Sequence, residues 1–285
     1  MRAPVRTIRH RISNAVGGNA RQTDVPPSIP RLLDQPCSPR VSIIIPVLNE
    51  ATLIAPFLRH LRKRAPEAEL IVVDGGSTDE TTVLAGPWCD RLVVSKRGRG
   101  EQLNSGASAA RGSVLWFLHV DSRVPEGCLD EIRTALEAPD AVGGYFRIQL
   151  PETHAIYRLT DSVAHYAGMV LRIRCADHSF FCRSSVFFQS GGFPHVPLME
   201  DVKFLRKMQS FGRVRVVHRR MQTSARRYEQ FGRARVTLIY SLIAVLYACR
   251  VPLPLLAAIY AKSFQPKIGS RSIPFHRIPV IGTLP

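Results

Sequence analysis

The sequence predicts an α/β domain whose mostly parallel sheet is flanked by helices. Three observations carry this. From Val41 onward, short apolar runs alternate with helical stretches, which implies right-handed crossovers between parallel strands. The runs are continuous and rich in β-branched residues, the pattern of strands buried on both faces. Polar residues cluster where the runs end, and open α/β sheets bind ligands at the carboxyl ends of their strands.

VSIIIPV (41–47) reads as the first strand. A helix over 50–64 sets Leu53, Phe57, Leu58 and Leu61 on one face and basic residues late, where they suit the helix dipole. ELIVVD (69–74), RLVVS (91–95) and VLWFL (114–118) are the next strands, with helical stretches near 79–85 and 101–110 between them. Small residues along 105–110 fit a helix pressed closely on the sheet. A helix (126–137), a strand (142–149) and a long helix-like region (153–172) follow. SFFCR (179–183) returns to the sheet, MEDVKFLRKM (199–208) has helical periodicity, and VRVV (214–217) is a short strand.

At 285 residues, the chain has room for one large domain with appendages. Charge divides it. Residues 1–40 carry a net +5, residues 41–202 a net −3 and residues 203–285 a net +15. A folded middle of ordinary charge is thus flanked by cationic ends suited to a polyanion or an anionic membrane surface. Residues 1–40 lack the apolar core of a secretory signal; their composition fits disorder, with 25–39 a Pro-rich linker, and also an organelle transit peptide. The six cysteines (37, 89, 128, 175, 182, 249) form no CxxC or zinc-like grouping, as expected of reduced core thiols in a cytosolic protein. VTLIYSLIAVLYAC (236–249) and VPLPLLAAIYA (251–261) are apolar. The first falls short of the about 20 residues that span a bilayer, and suits a core helix or one lying in the membrane interface between its cationic flanks.

Four strand-end or loop segments carry chemistry. IPVLNE presents Pro46, Asn49 and Glu50 beside a helix start, where Asn49 reads as an N-cap. VVDGGSTDET ends its strand in Asp74, able to accept from a ribose hydroxyl or a base N–H; an Asp-Gly turn with a helix cap explains the residues after it equally well. KRGRGEQLNSGASAARG offers Lys96, Arg97 and Arg99 to phosphates but lacks P-loop spacing. FLHVDSRVP sets His119 and Asp121 at the next strand end, where a carboxylate is ready to hold a divalent cation against phosphate oxygens. Further on, MEDVKF places Glu200 and Asp201 at a helix start, as dipole-complementing charges or with one of them as a general base.

Taken together, SIIIPVLNE, VVDGGSTDET, GRGEQLNSGA, FLHVDSRVP and LMEDVKF resemble, in order and spacing, a family 2 glycosyltransferase of the GT-A fold. The match runs from about Val41 to about Gly232. HVDSR, GGFPHVPLMEDV and TSARRYEQFG are similar to a bacterial subgroup associated with radical-SAM or selenium-related proteins. The resemblance implies a GT-A domain over 41–232, with 233–285 a basic, apolar helical tail.

It also implies an inverting, metal-dependent transfer of a hexosyl or N-acetylhexosaminyl group, with Mg2+ or Mn2+, from a nucleotide-diphosphate sugar to an acceptor hydroxyl. Pro46, Glu50 and Asp74 would contact the nucleotide, with Arg99 nearby. Asp121 would bind the metal and Asp201 would be the catalytic base. Arg226, Arg227 and Tyr228 stand where relatives carry a Gln-x-x-Arg-Trp element near the leaving diphosphate. His119 replaces the first acid of the Asp-x-Asp motif and would touch ribose or phosphate instead. Asp177, His178 and Glu200 are candidate acceptor contacts, an Asp–His structural pair being the other reading of the first two.

Two other functions compete with this one. A sugar nucleotidyltransferase would show a glycine-rich loop with Arg and Lys after the first strand, and IPVLNE has none. A non-catalytic basic protein is motivated by the formal +17; its cationic ends flank apolar helices, which favours a lipid headgroup over nucleic acid. The expected location is cytoplasmic, peripheral on the inner face of the cell membrane.

Overall fold

A computed structural model of the chain describes residues 40–149 and 179–264. The expectations for 1–39 and 153–172, and for Asp177 and His178, lie outside the described residues. Among those described, seven strands form one sheet in the order β3-β2-β1-β4-β6-β5-β7. They are β1 (Val41–Val47), β2 (Glu69–Asp74), β3 (Arg91–Val94), β4 (Val114–Phe117), β5 (Ala141–Gln149), β6 (Phe180–Arg183) and β7 (Arg213–Gln222). β1 pairs in parallel with β2 and β4, β2 with β3, and β5 with β7, while β6 runs antiparallel to β4 and β5. All but β6 therefore send their carboxyl ends to the same edge.

Helices cover both faces: α1 (Ala51–Arg64), α2 (Thr81–Ala85), α3 (Arg99–Ala109), α4 (Cys128–Ala135), α5 (Ser184–Ser190) and α6 (Glu200–Gln209). Ile43 and Ile45 of β1 pack with Ile54, Phe57, Leu58 and Leu61 of α1 and Ile132 of α4. Ile44, between them, packs on the opposite face with Leu103 and Ala107 of α3 and Phe204 and Met208 of α6. All three isoleucines are fully buried, each burial contributing roughly 1.5–3 kcal/mol. The continuous apolar run thus joins the two layers.

Small residues let α3 press on the sheet, as expected: a Cβ on Gly106 would lie 2.5 Å from Ile44 Cγ2 and 2.8 Å from Val73 Cγ2. At the opposite edge of the sheet from the carboxyl ends, buried Glu69 accepts from Ser42 Oγ at 2.6 Å and from Arg111 N at 2.8 Å, with Arg91 Nε at 3.2 Å. A buried carboxylate needs such partners, and here they tie the starts of β1, β2 and β3 to the turn before β4.

β7 extends well beyond the expected 214–217. It is an edge strand with register shifts against β5, so most of its residues are partly or fully exposed and His218-Arg219-Arg220 shows no apolar signal. Of the described cysteines, Cys128 and Cys182 are buried, whereas Cys89 is half-buried and Cys249 exposed. Burial pushes the Cys128 thiol up to about 11 and raises that of Cys182 as well. After α7 (Arg226–Phe231), helices α8 (Arg233–Ala248) and α9 (Leu253–Ser263) pack Ile243 and Leu256 against Met199 and Val202 beside the start of α6. Among the described residues no helix is long and apolar enough to cross a membrane.

Candidate active site

The carboxyl ends of β1 and β2 are joined side by side. Asn49, in the left-handed region at φ 54°, donates its backbone N–H to Ser77 Oγ (2.9 Å) and accepts from Thr78 N at 2.8 Å. It makes no N-cap to α1, contrary to the sequence reading. The first amide of α1, Ala51 N, donates instead to Asp79 Oδ2 at 3.2 Å. Asp74 is buried and accepts from the backbone N–H groups of Gly76 and Ser77 and from Ser77 Oγ. The turn reading of VVDGGSTDET is therefore realised, with Gly76 at φ +91°, and the carboxylate is fixed by that turn.

Gln102, which the sequence reading did not single out, joins these two strand ends from α3. Its Nε2 donates to Val47 O and Val73 O, each at 2.9 Å. Asn104, one helical turn-half further along, accepts from Phe193 N and donates to Phe193 O, both at 2.9 Å. Both residues belonged to the GRGEQLNSGA run, but their partners are distant in sequence and left no periodic signal.

Arg99, at the start of α3, is the hub of one half of the site. Its Nη2 lies 2.7 Å from His119 Nε2. Guanidinium only donates, so Nε2 accepts and the imidazole proton is assigned to Nδ1. Arg99 Nη1 lies 3.3 Å from Glu200 Oε1 and 3.8 Å from Asp201 Oδ2. Its Nε is buried without a hydrogen-bond partner among the described residues, a donor available to a ligand. Asp201, in the first turn of α6, is buried and its Oδ1 accepts from Val202 N at 2.6 Å. Pro46, Arg99, Leu103, Phe117, His119, Phe180 and Phe193 line a shallow, open recess.

Arg226 commands the other half. Its Nη1 donates to Glu50 Oε2 at 3.1 Å and its Nη2 lies 3.4 Å from Glu50 Oε1 and 3.3 Å from Asp121 Oδ2. Burial opposes the Arg226 charge, yet the Glu50 hydrogen bond and the two carboxylates outweigh it and raise its pKa. Arg123 N donates to Gln222 O at 2.8 Å, which draws the end of β7, and α7 after it, to the Asp121 loop. Arg227 leads away from this corner among the described residues: its Nη1 donates to the hydroxyls of Tyr240 and Tyr260, and its charge lies over the Phe264 ring. The fold thus brings together Pro46, Glu50, Arg99, His119, Asp121, Glu200, Asp201 and Arg226, with Asp74 at the adjoining strand end.

The family model for glycosyl transferase family 2 matches residues 42–193, more than half of the chain. This chain belongs to glycosyl transferase family 2. A PGL/p-HBAD biosynthesis glycosyltransferase of Mycobacterium tuberculosis is 27% identical over 217 residues, covering 71% of this chain and 81% of the relative. The human dolichyl-phosphate beta-glucosyltransferase is 27% identical over 112 residues, covering 33% of this chain and 34% of the relative. Among solved structures, a mannosyltransferase from Pyrobaculum calidifontis in complex with GDP-Man and Mn2+ aligns with TM-score 0.53 at 20% identity, covering 79% of this chain and 69% of that one. Glucosyl-3-phosphoglycerate synthase from Mycobacterium tuberculosis, in complex with Mn2+, UDP and glucosyl-3-phosphoglycerate, aligns with TM-score 0.55 at 19% identity, covering 75% and 81%. The fold of this family 2 chain is the GT-A arrangement of those neighbours.

The donor set of the glycosyltransferase fits a divalent cation held jointly by protein carboxylate and substrate phosphate. Among the described residues no group of three or more His, Cys, Asp or Glu is placed to hold a metal. Mg2+ is commonly held by one or two carboxylates plus substrate phosphates, and carboxylate oxygen suits Mn2+ also. Asp121, facing the carboxyl edge beside Glu50, meets that requirement, whereas the described residues alone form no all-protein metal cage.

Proposed function

We propose that this glycosyltransferase is inverting and metal-dependent, and moves a hexosyl or N-acetylhexosaminyl group from a nucleotide-diphosphate sugar to an acceptor hydroxyl. One observation carries the reading. Arg99 links His119, two residues before Asp121, to Asp201, so a carboxylate suited to a metal–phosphate and one suited to proton transfer border the same corner. Arg99 Nε, without a hydrogen-bond partner among the described residues, supports a ligand oxygen between them.

In this reading Asp121 holds Mg2+ or Mn2+, which when bound neutralises charge on the departing diphosphate. Asp74 meets the base or ribose, and Pro46, Glu50, Arg99, His119 and Arg226 surround the nucleotide sugar. Asp201 takes the proton from the acceptor hydroxyl as that oxygen attacks the anomeric carbon. The bond to the diphosphate breaks on the opposite face, and its electron pair leaves with the diphosphate. No second carboxylic acid is needed, unlike in a glycosidase, because the leaving group is already acidic. Glu200 is a candidate acceptor contact, while Arg227 has a weaker claim on the diphosphate because its described contacts run to α8 and α9.

Asp201→Asn keeps a hydrogen-bond acceptor at that position and removes the base. Turnover should fall about 10²–10⁴-fold, with donor affinity measured by calorimetry kept within a few-fold. Turnover like that of the unmodified chain would reject the assignment.

A membrane-proximal, peripheral location is supported by the outer face of α8 and α9. Leu238, Leu242 and Val245, at i, i+4 and i+7, and Leu255 are exposed. Arg235, Arg250 and Lys262, also exposed, flank them in the chain, and no acid lies between Gly232 and Phe264. Such a face suits the interface of an anionic bilayer. Co-sedimentation with phosphatidylserine vesicles should be lost in a Leu238→Asp, Leu242→Asp double variant; no binding by the unmodified chain at low salt would dismiss the location.

A further inference from the structure

We propose that Arg226 is a resident cation that holds the metal corner until the donor arrives, so that divalent ion and diphosphate bind together rather than ion first. The inference rests on the metal-dependent reading above and adds an order of binding to it.

Arg226 reaches Glu50, 176 residues away in sequence, through both terminal nitrogens at 3.1 and 3.4 Å. The nitrogen nearer Asp121 lies 3.3 Å from its Oδ2. Two-pronged guanidinium–carboxylate pairing adds geometric specificity to charge. The side chains of Arg226, Glu50 and Asp121 are 31%, 23% and 25% exposed, so solvent screens this cluster less than a surface pair. In this state the carboxylate suited to a metal already has a cation.

A divalent ion on Asp121 would sit roughly 2.1 Å from a carboxylate oxygen, on the same group that Arg226 holds. Like charges so close repel, and the net charge of Glu50, Asp121 and Arg226 together is only −1. Further negative charge must enter before both cations are tolerated. A nucleoside diphosphate brings it, and the fork of a guanidinium matches phosphate as well as carboxylate. Arg226 is also free to make the exchange. It opens α7, a six-residue helix with no buried residue, so its side chain can turn without unpacking a buried face. Rotation of its side chain from the carboxylates to the diphosphate would hand Asp121 to the ion.

The test reads Mn2+ binding directly, by electron paramagnetic resonance of the free ion, without turnover. Without nucleotide, Arg226→Gln should bind Mn2+ about fivefold or more tighter than the unmodified chain. Arg226→Lys, which keeps the charge, should stay close to the unmodified chain. Addition of UDP or GDP should tighten Mn2+ binding in the unmodified chain and much less in Arg226→Gln. Arg226→Met repeats the neutral substitution at similar length should the Gln variant fold poorly. Neutral variants that bind Mn2+ alone no tighter than the unmodified chain overturn the proposal. So does equal tightening by nucleotide in all variants, which leaves the metal-dependent reading intact. If the unmodified chain binds no Mn2+ with either nucleotide, that reading falls and the exchange falls with it.

Discussion

Replacing Gln102 by Met tests whether the nucleotide edge is held from beneath by one amide. Gln102 is buried, and its Nε2 supplies a hydrogen bond to each of two backbone carbonyls, Val47 O and Val73 O, at 2.9 Å. Its side chain also lies against Gly75, where an added Cβ would come within 2.9 Å of it. Met keeps the unbranched length and loses both donors. Each lost bond is worth about 0.5–1.5 kcal/mol. Val47 O retains Gly75 N at 3.0 Å and is not orphaned, so a total of about 1–2 kcal/mol is expected. For a domain of this size that lowers Tm by about 2–8 °C. The same bonds hold the ends of β1 and β2 that carry Pro46 and Asp74, so donor affinity should fall about 3- to 10-fold, a change of roughly 1 kcal/mol. Thermal melting with and without sugar nucleotide reads both effects. A Tm within about 1 °C of the unmodified chain, with unchanged donor affinity, would refute the reasoning.

Two further substitutions test the layers around the site. Gly106→Ala gains about 1 kcal/mol of helix propensity, yet its Cβ would stand 2.5 Å from Ile44 and 2.8 Å from Val73. Overpacking of that kind costs about 1–3 kcal/mol, so urea denaturation should find the variant less stable; a more stable variant would mean that α3 is not pressed on the sheet. His60 Nε2 lies 3.0 Å from Val124 O, and burial, against that hydrogen bond, lowers its pKa below the ordinary 6.5. The unfolded chain then takes up the proton more readily, so the stability His60 contributes is complete above about pH 6.5 and is lost as pH falls through the lower folded value. Tm of His60→Gln should drop less than that of the unmodified chain between about pH 7 and 5; parallel curves would contradict this.

What the sequence made legible follows from burial. β1, β2 and β4 are buried along nearly all their length, and a strand covered on both sides is apolar along its middle, with buried polar residues such as Ser42, Glu69 and Asp74 near its ends. Strand ends inherit their addresses from those runs, which is why Asp74 and Asp121 could be placed at one edge. The edge strand β7, whose residues are mostly exposed, could not be bounded the same way. For polar residues, sequence reveals location better than partner. Asn49 fastens a neighbouring loop rather than capping its own helix. Gln102 binds two strand ends from a helix, and Arg226 finds Glu50 across 176 residues. Such pairs are products of tertiary packing, and no local spacing announces them.

The central claim, a metal-dependent sugar-nucleotide site built on Asp121, is tested most directly by calorimetry of sugar nucleotides against the unmodified chain and Asp121→Ala. At least one sugar nucleotide should bind the unmodified chain in Mn2+, with affinity lost in EDTA and in the variant. Equal binding in Mn2+, in EDTA and by Asp121→Ala, or no binding of any sugar nucleotide, would contradict the account.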